Sequence, residues 1–212
     1  NVFTLGLWGN KEIEGLFAWA YSRKKHVGRC KWNPAQYTYL SFDFNKNPIC
    51  CSVFQWQEKT INVVECIKLP NSNIYTLCDH IKIKYKNAIF IVTGDATGQN
   101  SSALVKDDIN YYIVIKNKLN LKWPQIKVPS INPSLEENQV LVNVILNDFN
   151  WIIDEENAKG VIYDMENVRM LPTGKIDKTD REDPKKQADA MDTVRYFLNM
   201  FLRWYLKQVG LE

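Results

Sequence analysis

The chain has 212 residues, of which 45% are hydrophobic and 24% charged, and its formal net charge is +3. These values are typical of one globular domain with a sizeable core, and they exclude a protein that binds polyanions through overall charge alone. No segment approaches the roughly 18 consecutive apolar residues of a membrane-spanning helix, and no signal peptide is recognisable. We therefore expect a soluble, intracellular protein.

The predicted elements begin with a leading segment, residues 1–36, ahead of a main domain that we place at residues 37–212. A short helix is predicted to start after Asn10, with Leu16 and Phe17 on its apolar side. Because the chain begins with Asn1 rather than Met, we expect it to be a fragment of a longer protein.

Three predicted strands follow at residues 37–43, 49–56 and 61–68. In the first strand, Leu40 and Phe42 alternate with more polar residues, as the period of a half-buried strand requires. Short polar turns join the three strands, and such short connections predict an antiparallel meander.

The apolar residues change to helical spacing after Pro70, which predicts a helix over residues 74–85. The next run, residues 88–92, is apolar on both faces, as in a central strand parallel to its neighbour, and leads to Asp95. Further on we predict a helix over 102–119, a short strand at 126–128, a helix capped by Ser134 with Glu137, paired short strands over 151–170, a polar loop over 173–186 and a helix from Pro184 to about Gln208. This order predicts an α/β fold in which helices cover both faces of a mixed sheet.

The histidines restrict the possible chemistry. Only His26 and His80 are present, and neither lies in a zinc-binding or triad pattern. Any catalysis must therefore rest on carboxylates, hydroxyls and lysines.

Three aspartates occupy positions that stability alone does not favour. Asp43 follows an apolar strand, Asp95 ends the most hydrophobic strand, and Asp192 lies in the last helix. If the first two strands are parallel neighbours, both carboxylates lie at the same end of the sheet. Asp192 borders the apolar arc of its helix, whereas Asp189 is turned about 60° further into the polar side. Asp183 is predicted to cap this helix.

A cluster of acids repels itself unless cations neutralise it. Oxygen ligands without His or Cys favour Mg²⁺ or Mn²⁺ over zinc. Two such ions about 3.5–4 Å apart are suited to phosphodiester hydrolysis. Because a phosphate must be held over the acids, we take Lys46, Lys185 and Lys186, which flank them in sequence, as candidate DNA contacts.

Five short motifs follow one another along nearly the whole chain. They are Gly6–Gly9 with Glu14–Gly15, Asp43–Pro48, Gly94–Gly98, Asn132–Pro133 leading to Asn138–Asn143, and Asp192–Tyr196. Together they resemble the C-terminal nuclease domain of the large terminase subunit, the DNA-packaging motor of tailed phages. The family usually has a His where this chain has Asp189, and often an Ala where it has Thr193.

The resemblance implies an RNase H-like fold and two-metal cleavage of double-stranded DNA concatemers, with Asp43, Asp95 and Asp192 as catalytic metal ligands. It also implies an N-terminal ATPase domain, a small terminase subunit and a portal as partners, and a location in the host cytoplasm. Residues 1–36 are then the junction to that ATPase domain. No GxxxxGK[ST] loop occurs, so the chain itself is not expected to bind ATP through a phosphate loop.

Two alternative functions remain at this stage. One is another RNase H-like nuclease, such as a resolvase, an integrase-type enzyme or an exonuclease, because fold alone does not determine the substrate. The other is a non-catalytic module that holds DNA or docks to a capsid protein. Metal-dependent nicking of plasmid DNA separates the enzymes from the module.

Overall fold

A computed structural model describes residues 15–45, 47–100, 109–178, 182 and 187–211 of the chain. Within these ranges six strands form one sheet in the order β1-β6-β4-β3-β2-β5. The strands are β1 (Val27–Gly28), β2 (Tyr37–Asp43), β3 (Ile49–Gln57), β4 (Thr60–Leu69), β5 (Ile89–Gly94) and β6 (Asn150–Asp154).

The antiparallel meander is confirmed by β2, β3 and β4. Asp43 pairs with Cys50 across β2 and β3, and Ile49 pairs with Leu69 across β3 and β4. The connection between β3 and β4 is a tight turn, in which Glu58 has a positive φ of 52°. The end of β2, with Asp43, therefore lies beside the start of β3, at one end of the strands of the sheet.

Strand β5 is parallel to β2, as predicted, but it lies at the edge of the sheet rather than in its centre. Its apolar character has another cause, because residues 123–127 cover its outer side. Lys127 donates its backbone N–H to the Val92 carbonyl at 2.7 Å, and Gln125 donates from Nε2 to the Phe90 carbonyl at 2.9 Å. The strand predicted at 126–128 is reduced to one parallel bridge between Ile126 and Val92.

Helices cover both faces of the sheet, which confirms the predicted fold class. One face is covered by α2 (Ile74–Lys84) and α3 (Tyr111–Lys118), and the other by α4 (Leu135–Asp148), α5 (Lys159–Asn167) and α6 (Asp189–Leu202). Two short helices, α1 (Arg23–His26) and α7 (Trp204–Gln208), complete the fold. Ser134 caps α4 by accepting a hydrogen bond from the Glu137 N–H, as predicted.

Several predicted boundaries are wrong. Residues 159–167 form α5 rather than a strand, because Val161, Ile162 and Met165 recur at helical spacing and are buried together. Helix α3 begins only at Tyr111, after the cap residue Asn110, and residues 101–108 lie outside the described ranges. Trp204 begins a separate short helix, so the last predicted helix is divided.

The last long helix begins at Asp189 rather than near Pro184. Ala188, directly before it, has a left-handed φ of 57°, which is incompatible with an α-helical residue at this position. The predicted cap Asp183 and Pro184 lie outside the described ranges.

The described part of the leading segment packs into the fold. Residues 15–20 form turns and one bridge, Leu16 to Arg169, instead of the predicted helix, whose first residues are outside the described ranges. Phe17 is nevertheless fully buried, and Val27 pairs with Ile153 of β6. The sheet and its core thus include residues that precede position 37.

None of the helices in the described ranges has the length and apolar character that a membrane crossing requires.

Candidate functional site

Asp43 and Asp95 lie at the same end of the sheet, where β2 and β5 finish, because these two strands are parallel neighbours. The pairing runs from Tyr37 with Ile89 to Phe42 with Gly94, so Asp43 and Asp95 each follow the last pair. Asp95 donates its backbone N–H to the Phe42 carbonyl at 3.0 Å. The prediction that the two strands bring these acids to one end of the sheet is confirmed.

Gly94 permits this close approach of β5 to β2. Its φ is +155°, and a Cβ at this position would meet the backbone of Phe42 and lie 2.9 Å from the Tyr112 hydroxyl oxygen. The same Tyr112 hydroxyl donates to the Asp95 carbonyl at 2.8 Å. A side chain at position 94 would therefore push apart the two strands that carry the acids.

Helix α6 brings Asp192 to this end of the sheet and is tied to the sheet through Thr193. Ser41 of β2 donates to the Thr193 carbonyl at 2.7 Å, and Ser52 of β3 shares a 2.6 Å hydrogen bond with Thr193 Oγ1. Thr193 Oγ1 also donates to the Ala190 carbonyl at 2.7 Å. The buried hydroxyl thus holds the first turns of α6 over β2 and β3.

Asp43 and Asp192 are each only 3% exposed and act on each other electrostatically. Burial raises the pKa of Asp43 well above its ordinary value, and the nearby carboxylates Asp192 and Asp189 raise it further. Asp95 acts on Asp43 in the same direction but more weakly. The structure therefore brings the three acids singled out in the sequence into one electrostatic cluster.

Asp189 belongs to this cluster, contrary to the helical-wheel prediction that turned it to the polar side. It is 3% exposed, and Asn45 Nδ2 donates both to Asp189 Oδ1 at 2.8 Å and to Asp43 Oδ2 at 2.7 Å. A helical wheel assigns the buried side from apolar residues. At the start of α6 the neighbouring groups are polar, so a polar side chain is buried there.

Asp192 is held by two protein cations. Arg195 donates from Nε to Asp192 Oδ1 and Lys178 from Nζ to Oδ2, each at 2.8 Å. Burial raises the pKa of Asp192, but the charges of Arg195 and Lys178 outweigh burial and hold the pKa below its ordinary value. Both oxygens of this carboxylate therefore have cationic partners.

Asp95 is oriented by an amide from a distant loop. Asn132 donates from Nδ2 to Asp95 Oδ1 at 2.7 Å and accepts the Ala96 N–H at 2.9 Å. Thr97 also donates its backbone N–H to Asp95 Oδ1, at 2.8 Å. Among the described residues no donor contacts Asp95 Oδ2.

A further buried acid lies behind the cluster, on α5. Asp164 accepts the Met191 N–H on Oδ2 at 2.9 Å, while its Oδ1 has no hydrogen-bond partner in the described ranges and lies 3.8 Å from Lys68 Nζ. Burial raises the pKa of Asp164 to about 6. Sequence reasoning missed this residue because it expected short strands there.

Other residues of the site were also missed. Arg195 was detectable, since it follows Asp192 by three residues and lies beside it on a helix. Asn45 and Asn132 lie in motifs that carried the resemblance, but the motifs assign them no contact. Lys178 lies in a loop predicted only from its polar composition, and no sequence signal pairs it with Asp192. The candidate DNA contacts Lys46, Lys185 and Lys186 all lie outside the described ranges.

The chemistry of the donors fits a hard divalent cation, because carboxylates converge here without His or thiolate. In the described ranges no group of three or more His, Cys, Asp or Glu side chains is arranged as a metal site. Both oxygens of Asp192 are instead engaged by Arg195 and Lys178.

Neither a protein-family model nor a curated protein matches the sequence. Solved structures do match the fold. The large terminase of a thermophilic bacteriophage, in complex with ATP-γ-S, has a TM-score of 0.65 at 14% identity, covering 89% of this chain and 46% of that one. The nuclease domain of the P22 large terminase has a TM-score of 0.61 at 12% identity, covering 86% of this chain and 90% of that one.

The chain has the fold of the large terminase nuclease domain. The nuclease domain of the large terminase g2p from bacteriophage SPP1, with bound Mn, also matches, with a TM-score of 0.50 at 13% identity, covering 82% of this chain and 94% of that one. This RNase H-like fold was implied by the sequence motifs and is confirmed. The chain spans about half, 46%, of the length of the thermophilic-phage large terminase.

Proposed function

We propose that the chain is a metal-dependent endonuclease that cleaves double-stranded DNA concatemers during phage genome packaging. The proposal rests on one observation: Asp43, Asp95 and Asp192 lie close together at one end of a sheet that has the large terminase nuclease fold. A buried acid cluster gives no stability by itself, whereas it suits divalent cations.

The assigned metal ligands are Asp43, Asp95 and Asp192, and the metal is Mg²⁺ or Mn²⁺, with two ions bound. The ions, when bound, supply activation of a water and stabilisation of the leaving oxygen. The chain itself contributes the orientation of the acids. Asn132 directs Asp95, and Thr193 holds α6 and therefore Asp192 against the sheet. The Mn bound in the SPP1 nuclease domain supports this choice of metal.

We further propose the remaining partners by analogy with the thermophilic-phage large terminase, whose structure holds ATP-γ-S and extends well beyond the matched region. In the full protein an ATPase domain precedes this chain, and residues 37–212 carry the nuclease together with the described leading residues that pack into its sheet and core. A small terminase subunit and a portal complete the motor in the host cytoplasm. The substrate is double-stranded DNA. The chain alone is expected to be a slow, largely sequence-independent nuclease that is indifferent to ATP.

The deciding experiment is nicking of supercoiled plasmid with Mn²⁺ or Mg²⁺, with EDTA as the blank. Asp43→Asn and Asp95→Asn should each lower the rate by several orders of magnitude, because each removes a metal ligand. Asp79→Asn is the matched control, since Asp79 is an exposed acid of α2 that pairs with Lys118. Metal-independent nicking, or equal rates in all variants, would refute the proposal.

The products distinguish this function from its alternatives. A packaging nuclease cuts both strands of linear and circular duplexes alike. A resolvase prefers branched junctions, and an exonuclease requires ends. Binding of DNA without any cleavage would favour the non-catalytic module.

A further inference from the structure

The two helical layers of the fold carry opposite charge, which the net charge of +3 conceals. Between residues 73 and 127 the described positions contain seven lysines and only two acids, Asp79 and Asp95. Residues 134–167, which include α4 and α5 on the opposite face, contain eight acids and one lysine, Lys159.

The acidic layer is largely neutralised by the chain itself. Arg23 pairs with Glu166 at 2.9 Å, Arg29 with Glu155 at 2.8 Å, and Arg203 with Glu137 at 3.4 Å. The basic layer has few such pairs: Lys118 with Asp79 at 2.6 Å, and Lys84 with Glu65 at 2.6 Å.

The other five lysines of the basic layer pair with no carboxylate in the described part of the chain. We call them the lysine track: Lys82, Lys86, Lys116, Lys122 and Lys127. Lysines in the last turn of a helix are commonly explained by the helix dipole, which accounts for Lys82 and Lys116. Lys86, Lys122 and Lys127 lie beyond the helix ends and need another explanation.

Two lysines of the track, Lys122 and Lys127, lie along the outer side of β5, whose last residues lead to the acid cluster. Gln125 is bonded to the Phe90 carbonyl and Lys127 to the Val92 carbonyl, so residues 122–127 follow the edge strand towards Asp95. The same stretch of chain then reaches Asn132, whose amide donates to Asp95 Oδ1. One continuous segment thus connects the exposed lysines with an acid of the proposed metal site.

We propose that the lysine track binds the phosphate backbone of the DNA duplex on one side of the cleavage point. The inference rests on the proposed function, which supplies DNA as the polyanion. Strand residues advance about 3.3 Å each, so Val92 and Phe90 lie roughly 10 and 17 Å from Asp95. Phosphates advance about 3.4 Å each along one strand of a duplex. The part of the track beside β5 therefore contacts phosphates about three to five positions from the one that is cleaved.

The test is DNA binding without cleavage. Binding of a fluorescent 30-base-pair duplex, a length of about three helical turns, is followed by anisotropy in EDTA over a salt series. The paired variant is Lys122→Gln with Lys127→Gln, and a second pair is Lys82→Gln with Lys86→Gln. The matched control is Lys24→Gln with Lys159→Gln. Both lysines are exposed and lie outside the track, and their substitution removes the same charge.

Each track pair should weaken binding about tenfold at low salt and reduce the slope of log K against log salt by about 1.8, because each lost phosphate contact contributes about 0.9. The control pair should keep the slope of the unsubstituted chain. Unchanged binding in the track pairs, an equal loss in the control, or no DNA binding by the unsubstituted chain would each overturn the proposal.

The two proposals fail separately. EDTA removes the metal, so DNA binding by the lysine track is measured even if the chain never cleaves DNA. Weaker binding in the track pairs together with no metal-dependent nicking would retain the track and refute the nuclease. Nicking that persists with unaltered DNA binding in the track pairs would do the opposite, and would direct attention to an acidic protein partner for this face.

Discussion

Lys178 donates from Nζ to Asp192 Oδ2 across 2.8 Å, so a protein cation occupies a carboxylate that we assign to a metal ion. Lys178 lies in a loop and its side chain is 29% exposed, whereas that of Asp192 is 5% exposed. A loop side chain can withdraw more readily than the first turns of a helix packed on the sheet. On the proposed ligand assignment, a divalent cation would have to compete with Lys178 for the same oxygen.

Replacing Lys178 by Met should strengthen Mn²⁺ binding by the metal-free chain, by about tenfold, since a competing charge is removed. Titration calorimetry measures this affinity directly and does not depend on cleavage. Lys175→Met, at an exposed position of the same loop, is the matched control. Unchanged or weaker Mn²⁺ binding in Lys178→Met would show that the lysine supports the site instead of competing for it.

Asp43→Asn and Asp192→Asn should change metal-free stability in opposite directions at neutral pH. Asp43 is buried among carboxylates that disfavour its charge, so a neutral amide should raise the melting temperature. Removing the charge of Asp192 leaves Arg195, 8% exposed, without its carboxylate and should cost about 3–5 kcal/mol. Thermal denaturation in EDTA compares the two variants, and a common direction would contradict the assigned contacts.

Asp189→Asn tests which acid of α6 is the third ligand. We expect this variant to keep most of its plasmid cleavage, and Asp192→Asn to lose it. Both acids are buried, and Asn45 donates to Asp189 as well as to Asp43, so Asp189→Asn also changes the surroundings of an assigned ligand. An inactive Asp189→Asn beside an active Asp192→Asn would reassign the ligand without refuting the nuclease.

Asp164 should make the metal-free protein less stable as the pH rises from about 4 to about 6. The pKa of Asp164 is raised from 3.8 to about 6 in the folded chain, so the native state binds more protons than the unfolded state in this window. The loss is complete above the folded pKa and amounts to about 3 kcal/mol.

Comparison with Asp164→Asn isolates this effect from other titrating groups. The difference in melting temperature, variant minus unsubstituted chain, should increase between pH 4 and 6 and stay constant above that range. A difference that is independent of pH would contradict a raised pKa at Asp164.

Thr193→Ala should destabilise the fold by about 1–3 kcal/mol, because it leaves the buried Ser52 hydroxyl without its 2.6 Å partner. The double variant Ser52→Ala with Thr193→Ala should lose less than the sum of the two single variants, since no unpaired hydroxyl then remains. Urea denaturation of the four proteins completes the cycle. Strict additivity would show that the hydrogen bond does not couple α6 to β3.

The sequence predicted best where one short segment contains its own signal. The strand around Leu40, the cap at Ser134 and the helix after Pro70 each depend on neighbouring residues, and all three were confirmed. The strand is not half-buried as predicted, however, because Ser41 and Asp43 on its polar side are buried under α6. The prediction of strands at 159–167 was wrong because apolar residues at helical spacing were taken for strand residues. The start of α6 was also misplaced, since Asp183 and Pro184 have the local sequence pattern of a helix start, whereas α6 begins at Asp189, directly after Ala188 with its left-handed φ.

The sequence by itself determined the mixed α/β sheet and the placement of Asp43 and Asp95 at the same end of it. Hydrophobic periodicity is a local property, and a strand–helix–strand connection makes the two joined strands parallel. Only the tertiary structure decided the surroundings of Asp192 and Asp189. Lys178, Asn45 and Asn132 reach the acids from loops that are distant in sequence, and no local pattern encodes such contacts. Burial raises the pKa of Asp189, whereas at Asp192 the charges of Arg195 and Lys178 outweigh burial and hold the pKa below its ordinary value, so two aspartates three residues apart on one helix have opposite shifts.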